Sequence, residues 1–283
     1  MVVAAAPPRQ ILVATDMSEG AGVAVTRAAQ LAREHDARLT AIHVLPTGID
    51  AEIAEGARAD LEAHLAEHLN STPADIVVRH GSAAYAITIE AADRTVDLVV
   101  VGAHGAHWLA DAFVGSTAEN VVRMNPTAVL LVKQLGKAPY RTVVLALDES
   151  APAARAARFA SALTPSAKHT LIHICVVVGE NLMRMHGVAE DDIDALRSTC
   201  TERTREYLAR LTAELTPAPT QVIIESGHPP TRLVELCRSH AADLAVVGTG
   251  ARSQVSYAFL GSVAQHIMRQ SQSDVLVVPA VRD

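Results

Sequence analysis

Short apolar runs alternate with longer amphipathic stretches along the chain. In the first half, the runs at 10–16, 38–45, 75–79, 96–102 and 127–133 are apolar on both faces. Parallel strands covered by helices on both sides carry that pattern, so these runs predict a buried sheet. Between them, helical spacing predicts helices at 19–35, 50–69, 83–94 and 116–124, with Leu61, Leu65 and Leu69 on one face of the second. Regular alternation of strand and helix predicts a doubly wound, open parallel α/β sheet. Ligands of such sheets bind at the carboxyl ends of the strands, near the switch in strand order.

The pattern occurs twice. Ile11–Ser18 reads like Val143–Ser150, and Ala41–Val44 like Leu171–Ile174. His80-Gly81-Ser82 matches Ser226-Gly227-His228, and Val96–Gly102 matches Ala242–Gly248. Phe113–Ala118 matches Phe259–Ala264, and Ala128–Val132 matches Asp274–Val278. Asp16 and Asp148 lie 132 positions apart, whereas Gly115 and Gly261 lie 146 apart. The shift places an insertion in the second half between about residues 178 and 215. Matched blocks in one order mark a tandem duplication. The Gly/Pro-bearing stretch 134–140 is the linker, giving domains at 1–136 and 137–283.

Composition narrows the function classes. Apolar residues make up 49% of the 283 and charged residues 19%, which fits folded domains and excludes disorder. Aromatics are 3%, the net charge is −7, and no basic stripe is visible, so nucleic acid is not expected as a partner. Cys175, Cys200 and Cys237 form no disulfide framework or CxxC knuckle, which suits a reducing compartment. Residues 1–9 read as a short tail and not a signal peptide, and no apolar run is long enough to span a membrane. A cytoplasmic protein is expected.

The sharpest local signal is Gly102-Ala-His-Gly105, then nine residues, then Gly115-Ser116-Thr117. Gly102 and Gly105 follow the fourth strand, and Gly115 and Ser116 open the last helix. Glycines let backbone N–H groups approach an anion, and a helix N-terminus adds unpaired donors and partial positive charge. Ser116 and Thr117 add hydroxyls. Such a set could hold phosphate without a lysine; equally, Gly102 could simply turn the chain and Ser116 cap a helix. The second half repeats the spacing with Gly248, Gly261 and Ser262, but Ala251 stands where the second glycine was.

On these residues the chain resembles the universal stress protein family in its tandem form. The glycine pattern is that family's mark for members that bind ATP. The resemblance covers nearly the whole chain. It implies two tandem five-strand parallel sheets of order 3-2-1-4-5, Rossmann-like and similar to adenine nucleotide alpha hydrolases. It places Asp16 beside the adenosine and Val44 against the base, with Gly102, Gly105, Gly115, Ser116 and Thr117 around ribose and phosphates. The corresponding positions are Asp148, Ile174, Gly248, Gly261, Ser262 and Val263. ATP or another adenine nucleotide is the implied cofactor, with Mg2+ accompanying the phosphates. The first half keeps the glycines but has Ala106 where the family often has a basic residue; the second has Arg252 but Ala251. The first site is favoured.

Other readings are weaker. Ser18-Glu-Gly20-Ala-Gly22 lacks the third glycine of a dinucleotide loop, and Gly136-Lys137-Ala138 is no Walker A. His64-Leu-Ala-Glu67-His68 has a zinc-peptidase spacing but reads as a charged solvent face without a counterpart in the repeat. His104 and His107 flank the glycine motif as phosphate contacts or ordinary loop residues; His43 and His173 read as hydrogen-bonded strand residues, and Cys237 as a small buried one. No nucleophile–base pair is visible. The expected function is a nucleotide-binding stress sensor or regulator and not a metabolic enzyme. An interaction module with vestigial pockets and a slow ATPase are the alternatives. The last strand of each half reads as an apolar edge, unbroken by charge, and exposed edges of that kind are a liability. The two are expected to pair antiparallel in an intramolecular pseudo-dimer; further homodimerisation is compatible with the sequence.

Overall fold

The computed structural model describes residues 6–103, 114–134, 138–249 and 260–280. The first half runs β1 (Gln10–Ala14), α1 (Glu19–His35), β2 (Arg38–Leu45), α2 (Ala51–His68), β3 (Ala74–His80), α3 (Ala83–Asp93), β4 (Leu98–Gly102), α4 (Ser116–Met124) and β5 (Ala128–Val132). The second runs β6 (Thr142–Leu147), α5 (Ala151–Leu163), β7 (Lys168–Cys175), α6 (Glu180–Met185), α7 (Glu190–Glu214), β8 (Gln221–Ser226), α8 (Pro229–Ser239), β9 (Leu244–Gly248), α9 (Ser262–Gln270) and β10 (Asp274–Val278). The insertion is α6 and the lengthened α7, which occupy the place of α2.

The strands form one ten-stranded sheet, ordered β3-β2-β1-β4-β5-β10-β9-β6-β7-β8. Each half keeps the order expected of it, parallel throughout. The halves join where β5 and β10 pair antiparallel, Leu131 opposite Val275, Leu130 opposite Leu276 and Val129 opposite Val277. Leu130 and Leu276 are repeat equivalents, so a pseudo-twofold axis passes between them. Each final strand thereby covers the other's open edge.

Helices cover both faces. On one, Ala24 and Val25 of α1, Leu61 of α2, Ala156 of α5 and Leu208 of α7 pack over Val13, Leu130, Leu145 and Leu276. On the other, Ile87 of α3, Val121 of α4, Leu233 of α8 and Ile267 of α9 pack over Leu12, Val99, Val144 and Val275. Both cores run unbroken across the join, which makes the halves a single packing unit.

One residue departs from the expected uncharged edge. Asp274 opens β10 with no exposed surface, where its counterpart is Ala128. Its Oδ1 accepts from Lys133 N at 2.7 Å and Gln134 N at 2.9 Å, and its Oδ2 from Tyr140 Oη at 2.6 Å. Arg27 Nε of α1 lies 3.6 Å from Oδ2, and the guanidinium sits 4.2 Å from the Tyr140 ring centroid. Burial raises the Asp274 carboxyl above its ordinary value against the pull of these donors. Lys133 donates Nζ–H to the carbonyls of Met268 (2.5 Å) and Ser271 (2.7 Å) at the end of α9, and burial pulls its ammonium down to about 8. The linker is thus tied to both halves by buried polar groups, hydrogen-bonded except at Arg27 Nε, which faces Asp274 at ion-pair distance.

Candidate functional site

The carboxyl ends of β1, β2 and β4 lie side by side. Ala14 of β1 is level with Ile42 of β2 and Val101 of β4. This register brings Asp16, Val44 and Gly102 to one edge of the sheet, beside the strand-order switch. Asp148, Ile174 and Gly248 take the same places on β6, β7 and β9. Val44 is half-buried and Ile174 buried.

Both aspartates build the turn into the next helix. Asp16 Oδ1 accepts from Ser18 N at 3.1 Å and Ser18 Oγ at 2.5 Å, and Ser18 Oγ accepts from Ala21 N at 3.2 Å, capping α1. Asp148 Oδ1 accepts from Ser150 N at 3.0 Å and from Ser150 Oγ, and Ser150 caps α5 through Ala153 N at 3.3 Å. The repeated Asp-x-Ser was visible in the sequence; its capping role was not read from it. Both carboxylates remain solvent-exposed at the sheet edge.

The entry to α4 is fixed by backbone. Ala103 N donates to Val132 O at 2.9 Å, Gly115 N to Ala103 O at 2.8 Å, and Glu119 N to Gly115 O at 3.0 Å. The N–H groups of Ser116, Thr117 and Ala118 therefore have no intrahelical acceptor and open from the helix end. Ser116 and Thr117 are exposed. Gly115 has φ −60° and ψ 145°, open to any residue, and among the described residues a Cβ there would meet only Ala103 O, at 3.6 Å. Nothing in the described fold requires glycine at this position. The second half repeats the ties through Thr249, Gly261 and Gln265. There Gly248 has a packing reason: a Cβ would lie 2.8 Å from Ala153 N. Val263 stands where Thr117 does and packs partly on the core, so a hydroxyl is lost. Gly105, with His104, Ala106, His107, Ala251 and Arg252, lies outside the described residues.

The two helix entries flank the pseudo-twofold axis. Glu119 of α4 meets Arg269 Nη2 of α9 at 3.0 Å and Arg123 Nη2 of its own helix at 2.6 Å. Arg123 and then Arg269 hold its carboxyl below the usual range.

The His64–His68 face corrects the solvent-face expectation. Both histidines are half-buried against α1 and the end of β1, with ring centroids 4.7 Å apart, while Glu67 is exposed. His64 Nε2 lies 3.2 Å from Thr15 Oγ1, and His68 fills the space left by Gly22. Burial and then His68 lower the His64 pKa. Among the described residues no group of three His, Cys, Asp or Glu side chains could hold a metal. His43 donates Nδ1–H to the Thr15 carbonyl at 2.8 Å, the structural role expected of it. Cys237 is buried, and burial pushes its thiol up to about 12.

A tandem pair of doubly wound sheets, each with a helix N-terminus beside its strand-order switch, defines the class. The family model described as the universal stress protein family matches residues 8–133 and again 139–279. The chain belongs to that family, in a tandem two-domain form. A universal stress protein from Mycolicibacterium smegmatis is 25% identical over 95% of this chain and 96% of its own. A functionally unknown protein from Pseudomonas aeruginosa shares the fold with a TM-score of 0.73 at 21% identity, over 96% of this chain and 92% of that one. A universal stress protein from Archaeoglobus fulgidus follows at TM-score 0.66 and 17% identity, over 96% and 98%. Among the described residues, no helix is long and apolar enough to cross a membrane.

Proposed function

We propose that the protein is a cytoplasmic adenine-nucleotide-binding regulator of the stress response and not a catalyst. In this reading the adenosine lies beside Asp16 with its base against Val44, and the ribose and phosphates lie against Gly102, Gly105, Gly115, Ser116 and Thr117. The carrying observation is Gly115. It has ordinary dihedrals and, among the described residues, no neighbour that a Cβ would strike, yet it sits where donors of the α4 first turn open beside the sheet edge. A missing side chain there serves close approach by a ligand. Mg2+ would enter with the phosphates, whose oxygens are the hard ligands it prefers. In the second site Asp148, Ile174, Gly248, Gly261, Ser262 and Val263 keep the outline, with weaker affinity because one hydroxyl is gone. The proposed division lies between residues 136 and 137, the two domains forming a pseudo-dimer that can dimerise again.

Mass spectrometry of nucleotide released from the purified chain identifies the ligand, and calorimetry with ATP, ADP and AMP gives stoichiometry. Gly115→Val fits the observed backbone, so it is expected to fold. It should weaken binding at the first site at least about tenfold, or about 1.4 kcal/mol. Unchanged affinity and stoichiometry would show that nucleotide does not bind there. A wild-type chain that binds none of the three favours the interaction-module reading.

A further inference from the structure

The inserted helix carries a thiol onto the end of β7. Cys175 is the last residue of β7 and fully buried, while Cys200 lies on α7 and is half-buried. Cys175 Sγ lies 4.0 Å from Thr201 Oγ1 and donates to Thr204 Oγ1 at 3.8 Å, so it faces the side of α7 that Cys200 shares. Cys200 directly precedes Thr201 and lies one helical turn before Thr204, so α7 carries its thiol to the same patch of β7 as Cys175. Thr204 in turn donates to Glu149 Oε1 at 3.2 Å, in the turn that also holds Asp148. Thiol, hydroxyl and carboxylate form a chain from the buried sulfur toward the protein surface.

We propose that Cys175 and Cys200 are a redox-active dithiol, oxidised to a disulfide by peroxide, that staples α7 to β7. The half-buried Cys200 is the sulfur a small oxidant reaches. Its thiolate attacks one peroxide oxygen, the O–O bond breaks, hydroxide leaves, and Cys200 becomes a sulfenic acid. Cys175 then attacks the Cys200 sulfur, the S–O bond breaks, and the Cys175 proton leaves along Thr204 to Glu149 and solvent. The two thiols give up two electrons and two protons, and the peroxide becomes two waters. Burial and then Cys175 raise the Cys200 thiol, so the reduced pair persists at neutral pH and reacts slowly. Cys237, on the buried face of α8, is an internal reference that stays reduced while the chain is folded.

The test treats the full-length native chain with hydrogen peroxide, blocks remaining thiols, and maps peptides without reduction. The expected result is loss of two of the three thiols, a Cys175–Cys200 cross-linked peptide, and an intact Cys237 thiol. The oxidised chain should also melt a few degrees higher, because the bond closes a loop between residues 25 apart in sequence. Cys200→Ser changes a partly exposed helix position and should leave Cys175 reduced under the same treatment. Over-oxidised Cys200 beside a reduced Cys175, cross-links to Cys237, or three surviving thiols at full peroxide dose would each overturn the proposal.

Discussion

His169, near the start of β7, shows how one buried ring sets a pH dependence. It has no exposed surface, and its Nε2 lies 2.8 Å from Thr164 Oγ1. The Thr164 hydroxyl already donates to Ala160 O at 2.8 Å, so its oxygen accepts and Nε2 carries the proton. Nδ1 is left with no partner among the described residues. Protonating it would bury an unpaired charge, and burial pulls the ring down to about 4. Unfolded, the ring titrates near 6.5, so between these values the unfolded chain binds more protons. The folded state therefore holds its full advantage above pH 6.5 and loses it as pH falls toward 4, to the extent of about 3 kcal/mol. His169→Leu removes the titration and leaves Thr164 satisfied by Ala160. Chemical unfolding of both chains at pH 7 and pH 4 should show the wild type losing about 3 kcal/mol more than the variant. Parallel losses would mean that His169 is protonated freely in the folded state.

At the scale of elements, the inner strands were legible because they are apolar on both faces, whereas the outer strands β3 and β8 are largely exposed; the helix bounds 19–35 and 116–124 agree with α1 and α4. The glycine motif placed candidate residues on β4 and α4, and the register brings Asp16 and Val44 beside Gly102. Other features lacked a one-dimensional signal. In α7 only Ile193, Thr204, Leu208 and Leu211 are buried along 25 residues, too thin a stripe to mark its bounds. The inward turn of His68 depends on the gap left by Gly22, and that of His64 on Thr15, each more than 40 positions away. The pairing of β5 and β10 was legible from their shared lack of an edge defence, and it gives a sharp test. Leu130 is fully buried and sits opposite Leu276 at the pseudo-twofold axis. Leu130→Lys places an unpaired ammonium there, which is costly enough to part the strands before the rest of either sheet. Hydrogen exchange should then speed up at least about tenfold in Val275–Val278, while β1 and β2 amides keep their protection. Equal exchange in mutant and wild type, with the first half folded, would mean that the two strands are not paired.

At the scale of the whole molecule, what holds the halves in one arrangement is symmetric packing plus one asymmetric clasp. The repeat equivalents of Arg27 and Asp274 are Phe159 and Ala128, so the clasp has no twin and acquires its meaning only in the joined chain. It gathers α1 of the first half, the linker and β10 of the second around one carboxylate. Asp274→Ala restores the residue found at the equivalent position and so tests the clasp without altering the strand pattern. It strips the acceptor from Lys133 N, Gln134 N and Tyr140 Oη, and it leaves the Arg27 guanidinium, 3% exposed, without its anion. Removing one partner of a buried pair costs about 3–5 kcal/mol, chiefly because the surviving charge is stranded. Arg27 keeps its bonds to Gln30 Oε1 and Ala138 O, but neither is an anion. Adding Arg27→Met to Asp274→Ala removes the stranded charge, so the double variant should recover at least about 1 kcal/mol over Asp274→Ala alone. Urea unfolding of the wild type, both single variants and the double completes the cycle. A double variant no more stable than the additive sum of its singles would mean that Arg27 and Asp274 do not act as a pair, leaving the linker held by backbone contacts alone.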